Sequence, residues 1–397
     1  MKPNAISTRR ASHVFLNADD CKVADLAALT SQSVNLADYP HASDAQKNVL
    51  IYDCDAIRQT IATPEGRTSV MAEWVAAMMS GPGVLLLKKA ETNMAVIDRA
   101  STIFRELIAE QHRSGAGGGD HFAKPGANDR IWNSLEKHCL KDPANFAVYY
   151  GNEILALISE AWLGPYYQMT AQLNVVNPGG AAQSAHRDYH LGFQTAQDIE
   201  RYPRHVQLFS PQLTLQGAIA HVDAPMIAGP TLLLPFSQAY DAGYLAMNRP
   251  EFREFFNANH VQLPLEKGDM LFFSPALLHA AGTNKSADIK RMVNLFQVSS
   301  AYGRAMESVD RLNMSKALYP VLVNAKADDS LSDAQITAGI ASCAEGYAFP
   351  TNLDRDPPLG GLAPKTMSQL FHEALDSGWT VDKFNEALDN QAAKKLT

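Results

Sequence analysis

The stretch "SAHRDYHLGF", residues 184–193, sets three ligand-type side chains two residues apart: His186, Asp188 and His190. In an extended strand, side chains at i and i+2 share a face. His186 and Asp188 therefore point together, with Arg187 on the opposite side. "HLGF" reads as the start of a loop, so His190 is expected as a pocket or supporting residue and not as a ligand. A third ligand has to come from elsewhere. His279, in "DMLFFSPALLHAAGTN" (269–284), follows an apolar strand and a Ser-Pro turn, which pins its backbone at a strand end.

Two imidazoles and one carboxylate on one face of a metal leave coordination positions open, the pattern of non-haem Fe(II) oxygenases. Zinc prefers closed four-ligand sites, or three ligands and a water, and does no redox chemistry. Arg291 opens the apolar run "RMVNLFQVS" twelve residues after His279. A guanidinium at the start of a buried strand needs an anionic partner, and a dicarboxylate co-substrate supplies one through a bidentate pair.

The 397 residues are 46% apolar and 19% charged, the balance of a soluble globular enzyme. A net charge of −8 argues against a nucleic-acid partner. No run of 18 apolar residues is present, so no membrane span is expected. The opening "MKPNAISTRRASHVFLNADD" has an Arg pair but no apolar core behind it, so an export signal is not expected and the cytoplasm is. Cys21, Cys54, Cys139 and Cys343 are far apart and read as free thiols.

Residues 1–68 read as an N-terminal arm or cap with a short apolar run, "VLIYD" (49–53). "TSVMAEWVAAMMS" (68–80) has helical spacing, "GVLLLKK" (83–89) reads as a buried strand, and 92–113 as an amphipathic helix. Five glycines make 114–133 a loop, either a surface connector or a mobile lid carrying His121, Lys124, Arg130 and Trp132. "EILALISEAWLG" (153–164) is a helix closed by Gly164. From 166 onward come short β-rich runs, among them "HVQLFSPQLTLQGAIAHVD" and "VQLPLEKGDMLFFSP", spaced as in an antiparallel sandwich or barrel. In "QMTAQLNVVNP", Met169, Ala171, Leu173 and Val175 share one face and Gln172 and Asn174 the other, which makes Gln172 a candidate for holding a co-substrate or substrate. Helical patterns return after about 330, with stripes that suit packing faces or a dimer contact.

His186-x-Asp188, then His279, then Arg291, together with "GVLLLKK", "AGPTLLLPFSQ" and "KGDMLFFSPALLHAAGTNKS", resemble the phytanoyl-CoA dioxygenase family over roughly residues 70–300. The resemblance implies an α+β fold, a double-stranded β-helix (a jelly-roll, cupin-like barrel) with flanking α-helices. It implies Fe(II) held by His186, Asp188 and His279 as the catalytic centre. It also implies 2-oxoglutarate paired with Arg291, O2 as oxidant, and Lys124 as the nearest match to a lysine that contacts 2-oxoglutarate. Ala228-Gly229 and Pro235-Phe236-Ser237-Gln238 depart from the family's usual Asn-Gly and Pro-Gly-Ser-His. The expected division is an arm (1–68), an oxygenase domain (69–300) and a mainly helical extension (301–397). The expected activity is hydroxylation of a small molecule, by a monomer or homodimer. Two alternatives stay open: a jelly-roll metal enzyme without 2-oxoglutarate, such as a cupin-type isomerase or direct dioxygenase, in which Arg291 is structural; and a catalytically silent binding module.

Overall fold

The computed structural model describes residues 14–115 and 126–396. They form two compact units that interleave along the chain. The first draws on residues 14–90, 126–129 and 175–293; the second on residues 91–115, 130–174 and 294–396. The strands are β1 (Asp44–Gln46), β2 (Val49–Asp53), β3 (Val84–Lys88), β4 (Asn128–Ile131), β5 (Gln168–Val176), β6 (Thr214–Ala220), β7 (Leu232–Leu233), β8 (Met270–Phe273), β9 (His279–Ala280) and β10 (Arg291–Ser299).

Within the first unit the strand order is β1-β2-β3-β8-β6. β2 and β3 are parallel; β1 with β2, β3 with β8, and β6 with β8 are antiparallel. The stretch expected as an arm or cap thus contributes two strands to this sheet. A second, smaller sheet pairs β7 with β9, and a single bridge adds His186 to His279. The two sheets face each other across one core, in which Val84, Leu86, Leu271 and Phe273 of the first meet Leu233 and Leu277 beside the second. Period-2 alternation sends the neighbouring Leu232, Leu234, Leu278 and Ala280 the other way, into a cluster with Tyr240, Tyr244, Phe252 and Phe256. These facing sheets are the jelly roll of an α+β fold with flanking helices.

Gly217 of β6 lies opposite Phe272 of β8. A Cβ there would sit 2.3 Å from the Phe272 ring. Gly217→Ala is therefore expected to destabilise by about 1–3 kcal/mol through overpacking, read as a lower urea midpoint.

In the second unit, the helix Met94–Ser114 buries Val96, Ile97, Ala100, Ile103 and Phe104, one face at helical spacing. The helix Glu153–Leu163 is capped by the Asn152 side chain and closed by Gly164 at φ 74°. Four helices follow β10: Arg311–Ala327, Asp333–Cys343, Met367–Asp376 and Val381–Lys395. Their aromatic stripes pack on one another, with Tyr319 stacked on Phe384 at 4.0 Å. No helix among the described residues is long and apolar enough to cross a membrane.

Two local readings are corrected. The run "HVQLFSPQ" opens in a short helix, Arg204–Phe209, with Pro203 at its N-cap at φ −57° and ψ 147°. Within the glycine-rich segment, Asn128–Ile131 is a strand; its glycines all precede residue 127. Residues 116–125, which include His121 and Lys124, lie outside the described residues.

Candidate active site

His186, Asp188 and His279 converge in the first unit, their ligand atoms all within 4.8 Å of one another. The His186 segment is not the regular strand that the spacing suggested. Only His186 bridges, donating its N–H to the His279 carbonyl at 3.0 Å and accepting the His279 N–H at 3.1 Å. That reciprocal pair still sets the i, i+2 geometry, and the imidazole centroids stand 4.4 Å apart. Tyr189 and His190 then take positive φ values of 61° and 32°, so the chain leaves the extended path directly after Asp188. His190 is not among the converging ligand groups, and its Nδ1 lies 2.8 Å from Ser210 Oγ.

Both imidazoles are oriented from behind. His186 Nδ1 lies 2.8 Å from the Ser184 carbonyl and His279 Nδ1 lies 2.9 Å from the Leu277 carbonyl. A carbonyl oxygen only accepts, so each Nδ1 carries the proton and each Nε2 the lone pair that a cation needs. Nε2 of His186 is 3.8 Å from Asp188 Oδ1, and Nε2 of His279 is 3.4 Å from Asp188 Oδ2. Burial pushes the Asp188 carboxyl up, while positive charge at the two imidazoles in their protonated form and the Gln216 amide N–H hold it below the usual carboxylate range. The side chain of His279 is 5% exposed and packs on Phe273, whereas that of His186 is 31% exposed and marks the open side of the centre.

Sequence reasoning missed two residues here. Arg187, between the two ligands, is buried and donates to the Ser237 and Tyr240 carbonyls at 2.6 and 2.9 Å. Its guanidinium occupies space that a Cβ on Gly243 would fill, and lies 5.3 Å over the Tyr244 ring. Burial lowers its pKa to about 10. This anchor holds the segment from the face opposite the ligands. Gln216 of β6 donates from Nε2 to Asp188 Oδ2. Its signal was a lone amide at a position sharing parity with the core residue Ala220.

Arg291 opens β10 as expected and is 5% exposed. Nη1 reaches the carbonyls of Ala228 and Gly282 at 3.4 and 3.3 Å, and no carboxylate among the described residues pairs with it. Burial lowers its pKa to about 10. These carbonyls are brought close by two glycines: a Cβ on Gly229 would meet the Thr283 oxygen at 2.2 Å, and one on Gly282 the Gly229 oxygen at 2.7 Å. The departure to Ala228-Gly229 thus keeps the glycine that the close approach requires.

Gln172 belongs to the second unit. There it accepts from Arg130 at 3.3 Å and donates to Gln297 at 3.2 Å, while Arg130 lies 4.9 Å over the Trp132 ring. The structure therefore gathers His186, Asp188, His279 and Arg291 into one unit and places Gln172 in the other.

Comparison with known proteins agrees in kind. The dioxygenase cdmD of Talaromyces verruculosus is 28% identical over 145 residues, which is 36% of this chain and 43% of that protein. The chain thus spans under half the length of this curated relative. Among solved structures, the chain is similar to the non-heme alpha ketoglutarate dependent epimerase SnoN from nogalamycin biosynthesis (18% identity, TM-score 0.39, 59% of this chain and 84% of that one). It is also similar to AviO1 from Streptomyces viridochromogenes Tue57 (18% identity, TM-score 0.41, 58% and 97%). Residues 66–292, more than half of the chain, match the family described as Phytanoyl-CoA dioxygenase (PhyH). The chain belongs to the phytanoyl-CoA dioxygenase family.

Proposed function

We propose that this chain is an Fe(II)- and 2-oxoglutarate-dependent dioxygenase that hydroxylates a small-molecule metabolite in the cytoplasm, releasing succinate and CO2. The observation that carries this reading is Arg291, a buried guanidinium that among the described residues meets two long carbonyl contacts and no carboxylate. Such a group is costly unless an anion joins it. A dicarboxylic acid is the anion that fits a planar fork.

The donor set fits the metal as well. His186, Asp188 and His279 offer two imidazole nitrogens and one carboxylate, a set suited to Fe(II) that leaves coordination positions for co-substrate and O2. When bound, the iron supplies oxygen activation coupled to oxidative decarboxylation of 2-oxoglutarate. The protein's part is to hold and orient. The Ser184 and Leu277 carbonyls fix the imidazole tautomers, and the Arg187 anchor fixes the backbone between the first two ligands. Arg291 would take the distal carboxylate of 2-oxoglutarate. The exposed edge of His186 is where an organic substrate would approach.

The test is succinate release from 2-oxoglutarate, screened against a metabolite library with Fe(II) and O2. The expected outcome is substrate-stimulated succinate with a product that has gained one oxygen atom, lost on chelation and restored by Fe(II). Failure of the Fe(II)-loaded protein to bind or consume 2-oxoglutarate would sink the reading and favour a metal enzyme that does not use it.

A further inference from the structure

We propose that Gln216 is a positioning residue of the metal centre: its amide N–H takes Asp188 Oδ2 and thereby leaves Oδ1 as the oxygen for the cation. This rests on the reading of His186, Asp188 and His279 as metal ligands. Gln216 is 7% exposed and lies on the β6 face that carries Ala220 into the core. Register with β8 places it opposite Phe273, whose ring packs on His279 at 4.7 Å. Gly217, next in the strand, lets the Phe272 ring close against the backbone and fixes how deep β6 sits.

The amide's orientation follows from its partner. A carboxylate oxygen accepts only, so the nitrogen and not the oxygen of the amide must face Asp188. The same nitrogen stands 3.4 Å from His279 Nε2. Gln216 Oε1 is buried and has no hydrogen-bond partner among the described residues. The side chain is therefore held at its polar end through Asp188.

The two carboxylate oxygens are unlike. Oδ2 faces Gln216 and His279, while Oδ1 faces His186 at 3.8 Å. With Oδ2 engaged, Asp188 would offer a cation one oxygen, leaving open a coordination position that a two-oxygen mode would fill. Without the amide, the carboxylate is free to rotate about its terminal torsion, which is soft. Partners of this kind behind a metal ligand change affinity by about 10- to 100-fold when lost.

The experiment uses Co(II) as the probe, with the full chain. Gln216→Met keeps the side-chain length and removes the donor; Gln216→Asn keeps the amide but draws it back by one methylene. Both are expected to weaken Co(II) binding by about 10-fold or more. Both should change the visible absorption of bound Co(II), while the metal-free melting temperature stays near wild type. Wild-type affinity and spectrum in both variants would overturn the inference alone. Weaker binding with an unchanged spectrum and a lowered metal-free melting temperature would show a structural role and overturn it as well. Wild-type protein that takes up no Co(II) would overturn the metal site and this inference together.

Discussion

His186→Ala is expected to abolish turnover and most of the Fe(II) affinity while leaving the fold intact. His186 is one of three donors in the centre, and its loss leaves one imidazole and one carboxylate. The drop should exceed the roughly 10- to 100-fold that follows loss of a supporting hydrogen bond. The variant is clean because the side chain is 31% exposed, so truncation opens no cavity in the core. His279 is a different case. It is buried against Phe273, and His279→Ala adds a large-to-small cost, which for buried side chains runs to about 2–5 kcal/mol. His279→Gln, which retains more of the volume, separates ligand loss from core damage. Fe(II) titration with far-ultraviolet circular dichroism checks both. Full iron affinity in both variants would remove these residues from the metal site.

Arg291→Ala is expected to raise the 2-oxoglutarate KM steeply with near-normal Fe(II) affinity. Removing one side of a buried charge pair costs about 2–5 kcal/mol, which is roughly 30- to several-thousand-fold in affinity. Within the free protein the cavity left by truncating a buried side chain opposes the relief of a buried cation, so Arg291→Met, which keeps more of the volume, is the variant expected to be mild or stabilising. It removes a buried cation whose neighbours are two carbonyls at 3.3 and 3.4 Å, and those carbonyls lose only long contacts. In Arg291→Met, a fold as steady as wild type with a failed co-substrate site is what a purely structural arginine would not produce. Arg291→Lys should rescue in part, since the charge remains while the planar fork is gone. An Arg291→Ala protein that uses 2-oxoglutarate with an unchanged KM would show that this arginine is not the anchor.

Much of this site was legible before any coordinates. Residue types and local spacing carried it: His186-x-Asp188 as an i, i+2 pair, His279 behind a Ser-Pro turn, Arg291 at the head of an apolar strand, and Gly164 as a helix stop. These are short-range properties, set by backbone period and by the cost of burying charge. What only the tertiary structure decided are relations between distant residues. The His186 segment is one bridge rather than a strand, because its partner is β9, 93 residues on, and Tyr189 and His190 turn the chain away at once. Gln216 reaches Asp188 because the β6–β8 register sends its side chain into the same core as Phe273. Residues 44–46 and 49–53 lie in the main sheet, where the N-terminal sequence suggested an arm or cap, because β2 pairs in parallel with β3, Leu50 opposite Leu85. Parallel pairing needs a crossover, and no local pattern announces which strand the crossover will meet. Sequence thus determined which side chains are candidates for this chemistry, and long-range register determined which atoms of them face one another.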